Sequence, residues 1–468
     1  MTRRHGYVLL SAVIALVLGL AAVICARIAV DSGTPPRAAV ATHRPNPEPS
    51  AAPASAGTWV GTWSAAPAGA EPGTDTLGMA GRSVRNVVHT SVSGTSARIT
   101  LSNLYGLSAL ALTHASIAVA AGEGTASAAP GTMRRLTFGG STGVVIPPGG
   151  QVLSDAVRIT VPRDTDVLVT TYSPTPSGPV TYHPQARQIS YLAQGDRTED
   201  LTGAPYTGQT SSWRYLTALD VLSNESDGTV VVLGDSLTDG FTSTVGADHR
   251  WTDFLSRRMR DAVADGSGVL PRYSVVNEGI SGNQILADGL GRPADNPGRT
   301  DRSDRSDRFG RLDRPADNPS GLDRFGRDVL DRTNVKIVVI DLGVNDILRN
   351  PRLADPGKIV DGLRALVRQA HARGLKVIGA TLMPFGGHQG STAAREQVRQ
   401  EINAEIRAGR VFDAVADFDA ALRDPAEPSR LSLEYDSGDH LHPDDLGYQR
   451  MADAFDLREL KGAGQAEL

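Results

Sequence analysis

The chain contains 468 residues, of which 40% are apolar and 21% are charged, and its formal net charge is −5. This length is enough for two domains with sizeable hydrophobic cores. The slightly negative charge argues against nucleic-acid binding, which needs clustered lysine and arginine to neutralise phosphates. Because Cys25 is the only cysteine, an intramolecular disulfide and a thiolate metal cluster are both excluded.

The N-terminus carries a basic start followed by an apolar run. Residues 3–5 are Arg-Arg-His, residues 6–26 have no formal charge, and Arg27 ends the run. This order is typical of an export signal, while about 20 apolar residues are also enough to span a bilayer. We therefore predict that residues 1–30 are either a cleaved signal peptide or a retained membrane anchor. In both cases the rest of the chain is expected outside the cytoplasm, secreted or tethered to the membrane.

The next part of the chain changes from a linker to a β-rich domain. Residues 31–56 are rich in Pro, Ala, Ser and Thr and offer few large apolar side chains to bury, which predicts a linker. From 57 to 225, short β-branched runs such as 84–90 are punctuated by Gly and Pro. These runs predict an accessory domain of the β-sandwich or jelly-roll kind.

From residue 228 onward, predicted strands alternate with predicted helices. The strands are expected at 229–233, 273–277, 335–342, 375–381 and 412–417, and the helices at 250–264, 358–372 and 393–407. Apolar strand runs separated by amphipathic helices predict an α/β fold with a mostly parallel sheet and helices on both of its faces.

One segment interrupts this alternation. Residues 292–297 and 314–319 both read Arg-Pro-Ala-Asp-Asn-Pro, and Asp-Arg pairs lie between and after them. Balanced charge and a scarcity of apolar residues favour a solvated, low-complexity insertion at 292–327 over a partner-binding segment.

Five residues with catalytic potential lie in four loops, each of which follows a predicted strand. Ser236 lies in Gly-Asp-Ser-Leu directly after the first of these strands, Gly282 follows the second and Asn345 follows the third. Asp439 and His442 follow the last strand and are three positions apart. Because ligands meet the carboxyl ends of parallel strands, these loops are expected at one sheet edge. Each motif alone is a common turn or helix cap, but together they supply the hydroxyl, imidazole and carboxylate that a serine nucleophile needs.

In this order, the four blocks that contain the serine, glycine, asparagine and histidine resemble the blocks that define the SGNH hydrolase superfamily, also called GDSL esterases and lipases. Asp439 matches the family's acid. The resemblance covers residues 228–460 and implies a three-layer α/β/α, flavodoxin-like hydrolase domain. With its β-rich front half, the chain is also similar to an actinobacterial subgroup with xylan-esterase-like members. The 292–327 insertion departs from the family's usual spacing but removes no site residue.

The resemblance also implies a role for each site residue. Ser236 would attack an ester carbonyl, His442 would accept and return the proton, and Asp439 would orient His442. The backbone N–H groups of Ser236 and Gly282 and the side-chain amide of Asn345 would form the oxyanion hole. This chemistry requires neither a cofactor nor a metal.

Four other polar residues are weaker candidates. His440 and Asp436 compete for the roles of base and acid, but the family spacing favours the pair named above. His89 and His183 lie in the β-rich part, where structural or surface roles are expected. No group of His, Asp and Glu has metal-ligand spacing along the sequence, so no metal site is predicted.

Together these features predict a secreted, monomeric serine esterase that acts on a small-molecule or polysaccharide ester, either acylated carbohydrate or a short-chain lipid ester. Acyl transfer to a sugar hydroxyl would use the same residues and stays open. The non-enzyme alternative is a glycan-binding wall protein whose hydrolase half is idle. An idle site should have lost at least one of the five residues, and all five are present.

Overall fold

The computed structural model describes residues 57–265, 270–289, 317–349 and 354–462. The predicted N-terminal signal or anchor, the linker and most of the predicted insertion lie outside these residues. Within the described ranges, no helix is both long enough and apolar enough to cross a membrane.

The first part of the described chain, up to Ser223, is built of short strands that pair in antiparallel fashion. These strands are β1 (Thr58–Ser64), β2 (Gly69–Ala70), β3 (Arg82–His89), β4 (Gly94–Ser102), β5 (Leu110–Leu112), β6 (His114–Val119), β7 (Arg134–Arg135), β8 (Val144–Ile146), β9 (Gln151–Leu153), β10 (Val157–Val161), β11 (Asp166–Ser173), β12 (Thr181–His183), β13 (Ser190–Gln194), β14 (Gly208–Thr210), β15 (Trp213–Arg214) and β16 (Leu216–Ser223). One sheet has the order β1-β16-β4-β10, with β9 also paired to β4, and a second has the order β14-β13-β3-β11-β6-β7. Two smaller sheets, β15-β12-β2 and β5-β8, complete this part.

The two larger sheets share one hydrophobic core. Along β4, Ala97, Ile99 and Leu101 are fully buried while the residues between them are less so, which is the period of two that a strand imposes. These side chains belong to the same buried cluster as Val167 and Val169 of β11, in the other sheet. The β-rich part is therefore two sheets packed around a common apolar interior.

The second part is organised by a parallel sheet. Its strands are β17 (Gly228–Gly234), β18 (Tyr273–Gly279), β19 (Val335–Asp341), β20 (Lys376–Ala380) and β21 (Ala414–Ala416). Their order across the sheet is β18-β17-β19-β20-β21, and every neighbouring pair is parallel. All five lie where the apolar runs of the sequence predict strands.

Helices cover both faces of the parallel sheet. The α-helices are α1 (Ser236–Asp239), α2 (Trp251–Ala264), α3 (Gly321–Phe325), α4 (Val344–Arg349), α5 (Pro356–His371), α6 (Ala393–Arg407), α7 (Phe418–Leu422) and α8 (Asp445–Ala454), and two short turns are a π-helix at Gly326–Leu330 and a 3-10 helix at Leu457–Leu460. Val231 and Leu233 of β17 pack in a cluster with residues of α5 and α6. Val230 and Val232, which point the other way, pack with residues of α2 and α8. A strand that is apolar on both faces therefore lies between two layers of helix.

The end of the predicted insertion is folded, so the expectation of a solvated loop is wrong for residues 317–327. Arg324 of α3 is fully buried. Its guanidinium donates to the carbonyl oxygens of Gly234 (2.9 Å) and Glu278 (2.7 Å) and to the side chain of Asn283 (3.0 Å). These acceptors lie at and just beyond the carboxyl ends of β17 and β18. In the sequence, the charge of this arginine suggests exposure to solvent. In the structure, the side chain is buried and donates hydrogen bonds to buried backbone carbonyl groups.

The β-rich part and the α/β part pack directly on one another. The backbone N–H of Gly61 in β1 donates to Oγ1 of Thr229 in β17 (3.2 Å). A Cβ at Gly61 would lie 3.1 Å from the side chain of Val276 in β18, so this glycine allows a close approach. Ser64 also donates a hydrogen bond to the buried carboxylate of Glu278. The predicted accessory and hydrolase domains thus belong to one compact unit, Ser55–Leu468.

A partly buried histidine at this junction predicts a pH-dependent stability. His89 faces Asp164 (3.2 Å), Asp166 (3.1 Å) and, in the α/β part, Asp248 (3.0 Å). Burial lowers the pKa of His89, but hydrogen bonds that its ring donates to the three carboxylates outweigh this effect and raise the pKa from 6.5 to about 12. The stabilisation from the protonated ring is therefore complete below pH 6.5 and is lost as the pH rises toward 12.

We expect the free energy of unfolding of the His89→Gln variant to fall less steeply than that of the wild type between about pH 7 and pH 10. Chemical denaturation of both proteins at several pH values measures the two slopes. Equal slopes would contradict this account of His89.

Candidate active site

Ser236 lies on the turn that follows β17. It is the first residue of α1, and Asp235 caps this helix by accepting a hydrogen bond from the backbone N–H of Leu237 (3.0 Å). The turn is tight, since a Cβ at Gly234 would lie 2.2 Å from Oγ1 of Thr238. Ser236 is 7% exposed. The strand and the turn therefore hold its hydroxyl at the carboxyl edge of the sheet with a small opening to solvent.

His442 and Asp439 lie next to this hydroxyl. Nε2 of His442 is 2.9 Å from Oγ of Ser236, and Nδ1 of His442 is 2.6 Å from Oδ2 of Asp439. The other oxygen of Asp439 accepts the backbone N–H groups of Leu441 (2.9 Å) and His442 (2.8 Å). Partial burial raises the pKa of Asp439, but these hydrogen bonds outweigh it and hold the pKa well below its usual range. Asp439 is thus an anion that fixes the tautomer and orientation of the His442 ring.

The neighbouring histidine has an acid of its own. Nδ1 of His440 is 2.6 Å from Oδ2 of Asp436, and its side chain is 41% exposed. His440 has a φ of 64°, in the left-handed region. The two rings have different partners, and it is His442 that contacts Ser236. The competing pair of the sequence analysis therefore forms a second Asp–His couple beside the first.

The other two residues predicted for the site follow the strands on either side of β17. Gly282 comes after β18 and has a φ of 78°. Asn345 comes after β19 in the first turn of α4, where its amide nitrogen donates to Oδ2 of Asp235 (3.2 Å). Among the described residues, the backbone N–H groups of Ser236 and Gly282 donate to no acceptor. These two N–H groups are therefore free to bind a ligand oxygen at this edge.

Arg349 fixes the orientation of the Asn345 amide, a contact that the sequence analysis missed. Its Nε donates to Oδ1 of Asn345 (2.8 Å). Arg349 binds the amide oxygen of Asn345, and Asp235 accepts one of the two amide hydrogens. The second amide hydrogen therefore points to neither of these partners. The signal in the sequence was the four-residue spacing on one helix, which places the two side chains on the same face.

Buried acids support the loops around the serine. Asp346 accepts the backbone N–H groups of Ile285 (2.8 Å) and Leu286 (3.0 Å), and burial raises its pKa to about 6. Asp235 is also buried, and burial followed by the nearby charge of Asp341 raises its pKa. The first acid ties the loop after β18 to α4, which keeps the glycine and asparagine sites in a fixed relation.

One further cluster lies apart from these residues. Potential ligand atoms of His89, Asp166 and Asp248 all lie within 4.8 Å of one another, a spacing that could hold a cation. The three residues are far apart in the sequence, so the sequence pattern did not indicate this group. The carboxylates already bind Gln188, which donates to Asp166 (3.3 Å) and Asp248 (2.7 Å). A proton on His89 offsets one of the negative charges, and Gln188 donates to both carboxylates.

The oxyanion role that the family resemblance implies for Asn345 predicts that Asn345→Ala lowers kcat for ester hydrolysis by about 10²–10³, because one donor to the transition state would be lost. KM should change by less than about threefold, since the contribution is made in the transition state. Steady-state kinetics on a chromogenic ester measures both constants. Asn345→Asp, which keeps the size but lacks the N–H donor, should lose at least as much, and near-normal kcat in both variants would contradict the assignment.

Comparison with known proteins gives the class of this site. The GDSL-like lipase/acylhydrolase family model matches residues 232–450, which include the end of β17 and the serine, glycine, asparagine, acid and histidine just described. The protein contains a hydrolase domain of the SGNH superfamily and is a carboxylic ester hydrolase. Both predictions from the sequence are thereby confirmed. The search of curated proteins found no match to the chain.

The search of solved structures gave matches over about half of this chain. A lipolytic protein of the G-D-S-L family from Desulfitobacterium hafniense DCB-2 is 18% identical, with a TM-score of 0.32, and the match covers 49% of this chain and 97% of that one. A variant of an acetyl-xylooligosaccharide esterase from Geobacillus Stearmophilus is 19% identical, with a TM-score of 0.34, covering 50% and 95%. These identities and TM-scores are too low to assign a substrate to this chain.

Proposed function

We propose that the protein is a secreted serine esterase that hydrolyses O-acyl bonds through Ser236, His442 and Asp439. The observation that carries this proposal is the continuous hydrogen-bonded chain from Oγ of Ser236 to Nε2 of His442 (2.9 Å) and from Nδ1 of His442 to Asp439 (2.6 Å). A serine hydroxyl is a weak nucleophile near neutral pH until a positioned base can take its proton.

In the first half of the reaction, Oγ of Ser236 attacks the ester carbonyl carbon while Nε2 of His442 takes the hydroxyl proton. Asp439 stabilises the imidazolium that forms. The negative charge on the carbonyl oxygen is bound by the N–H groups of Ser236 and Gly282 and by the amide of Asn345. When the tetrahedral intermediate collapses, the C–O bond to the alcohol breaks and His442 gives its proton to the departing alcohol.

In the second half, a water molecule attacks the acyl carbon and His442 takes one of its protons. Collapse of the second intermediate releases the carboxylic acid, and the proton returns to Oγ of Ser236. The two halves use the same base and the same oxyanion donors. If a sugar hydroxyl took the place of water, the same residues would transfer the acyl group instead of hydrolysing it.

The proposal includes the finer points of substrate, location and fold. We place acylated carbohydrate and short-chain lipid esters as the substrate classes, with the protein exported and either released or tethered through residues 1–30. The helices on both faces of the sheet support a three-layer α/β/α, flavodoxin-like arrangement. The β-rich part would be of jelly-roll kind, and the enzyme would act as a monomer.

A substrate panel tests the proposed function. Purified protein is mixed with acetylated xylooligosaccharides, p-nitrophenyl esters of increasing acyl length and phospholipid vesicles, and acid release is titrated at constant pH. We expect acid release from at least one class, and none from Ser236→Ala. Repeating the assay with an added acceptor alcohol separates hydrolysis from transfer through the products. No acid and no transfer product from any class with the folded wild type would contradict the proposal.

A further inference from the structure

A buried carboxylate links the β-rich part to the loop that carries Gly282. Asp239, the last residue of α1, is 3% exposed and contacts His183 of β12 with one oxygen and Ser281 with the other. We infer that His183 is a positioning residue for ester hydrolysis, which holds the Gly282 oxyanion donor in place through Asp239 and Ser281. This inference rests on the proposed function and assigns the β-rich part a role in catalysis.

The side of this link that faces the β-rich part is a buried ion pair. Nε2 of His183 is 3.0 Å from Oδ1 of Asp239, and Nδ1 of His183 is 2.9 Å from the carbonyl oxygen of Ala66. Because both ring nitrogens face acceptors, both carry hydrogen and the ring is an imidazolium. Burial lowers the pKa of His183, but the charge of Asp239 and the two hydrogen bonds outweigh it and raise the pKa. The pair therefore fixes the position of the carboxylate from one side.

The other side of the link is the loop after β18. Oδ2 of Asp239 accepts the backbone N–H of Ser281 (3.0 Å) and its hydroxyl (2.6 Å). The next residue is Gly282, whose φ of 78° lies in the left-handed region that glycine adopts without strain. Asp239 is three residues from Ser236 on the same short helix. One carboxylate thus sets the distance between the nucleophile and an oxyanion donor.

A second set of contacts from the β-rich part supports the same loop. The side chain of Ile280 packs in one buried cluster with Ala66 and Ala68. The carbonyl oxygen of Ala68 accepts the backbone N–H of Asn318 (2.6 Å), and the Asn318 amide donates to the carbonyl oxygen of Ser281 (3.1 Å). The loop is therefore held on both sides by groups that the β-rich part fixes. Its geometry depends on a part of the chain that contains none of the proposed catalytic residues.

The expected kinetic signature follows from where an oxyanion donor acts. A donor that is displaced by about 1 Å can cost up to about 10² in rate, and the loss appears in the transition state more than in substrate binding. We therefore expect His183→Ala to lower kcat by about tenfold to a hundredfold with KM within about threefold of the wild type. His183→Gln, whose amide can still donate to Asp239, should recover part of kcat.

The test uses the full chain, several single variants and one double variant. Ser281→Ala removes only the hydroxyl bond to Asp239 and should lower kcat in the same direction as His183→Ala. The double variant should lose less than the product of the two single losses, because both act through one carboxylate. His89→Gln is the matched control, since His89 also joins the two parts through a carboxylate, Asp248, but makes no hydrogen bond to the loop. Its kcat should remain within about threefold of the wild type.

Thermal melts and circular dichroism of each variant separate folding from catalysis. If His183→Ala does not fold, Ser281→Ala and His183→Gln decide the question, and unchanged kcat in both would overturn the inference. It would also be overturned if His89→Gln lost as much kcat as the His183 variants, which would indicate a general effect of the junction. If the wild type hydrolyses esters no faster than Ser236→Ala, the proposed function itself fails. If ester hydrolysis requires Ser236 but His183→Ala has wild-type kcat and KM, the proposed function stands and only the positioning role of His183 is contradicted.

Discussion

Replacing Ser236 with alanine is expected to lower kcat for ester hydrolysis by about 10⁴-fold or more. In the proposed mechanism the oxygen of this hydroxyl forms the bond to the acyl carbon, and the oxyanion donors alone would leave only residual catalysis. The variant should fold normally, because the change removes one oxygen from a side chain at the end of a strand. Initial rates on a chromogenic ester measure the loss, and the thermal midpoint checks the fold.

A matched serine sharpens this test. Ser256 lies on α2, and its hydroxyl makes one long hydrogen bond, 3.4 Å to the carbonyl oxygen of Ser91. Ser256→Ala should therefore keep kcat within about twofold. A Ser236→Ala protein that retained more than a few per cent of the wild-type rate would exclude Ser236 as the nucleophile.

The two adjacent histidines should respond in opposite ways to the same substitution. His442→Ala is expected to lose about 10⁴-fold or more in kcat, since no base remains next to Ser236. His440→Ala should keep kcat within about threefold, because His440 is engaged with Asp436 and lies partly in solvent. Both variants remove an imidazole from an Asp–His couple of the same length, 2.6 Å in each case. A difference in kcat between the two variants would therefore be due to the contact with Ser236, which only His442 makes.

The acids should follow their histidines. Asp439→Asn is expected to lower kcat strongly, since a neutral amide neither fixes the required tautomer nor stabilises the imidazolium. Asp436→Asn should leave kcat close to that of the wild type. If His440→Ala and Asp436→Asn were the inactive pair, the base and the acid would be assigned to the wrong couple.

The elements and residues that the sequence predicts well share a physical cause. Strands such as β17 and β19 are buried on both faces, so they appear as continuous apolar runs that periodicity can recognise. The ends of parallel strands meet at one edge, so Ser236, Gly282 and Asn345 could be expected together from their positions after such runs. The choice of His442 over His440 came from family spacing, and local pattern alone could not make it.

The contacts that the sequence did not reveal depend on residues far apart in the chain. His183 and Asp239 are 56 positions apart, and nothing near either residue indicates the other. Arg324 lies in a run of Asp-Arg pairs whose composition predicts exposure to solvent. Its guanidinium is nevertheless buried, because it donates to carbonyl oxygens of two strands. Local composition reports average solvation, whereas the burial of one arginine is decided by which acceptors the fold brings to it.

Mapping a covalent adduct tests the central claim most directly. The full chain is treated with a fluorophosphonate, which forms a stable bond with an activated serine, and the modified peptide is identified by mass spectrometry. We predict one adduct on Ser236 in the wild type and in His440→Ala, and a loss of labelling in His442→Ala. An adduct on another residue, or labelling of His442→Ala at the wild-type rate, would contradict the claim that His442 activates Ser236.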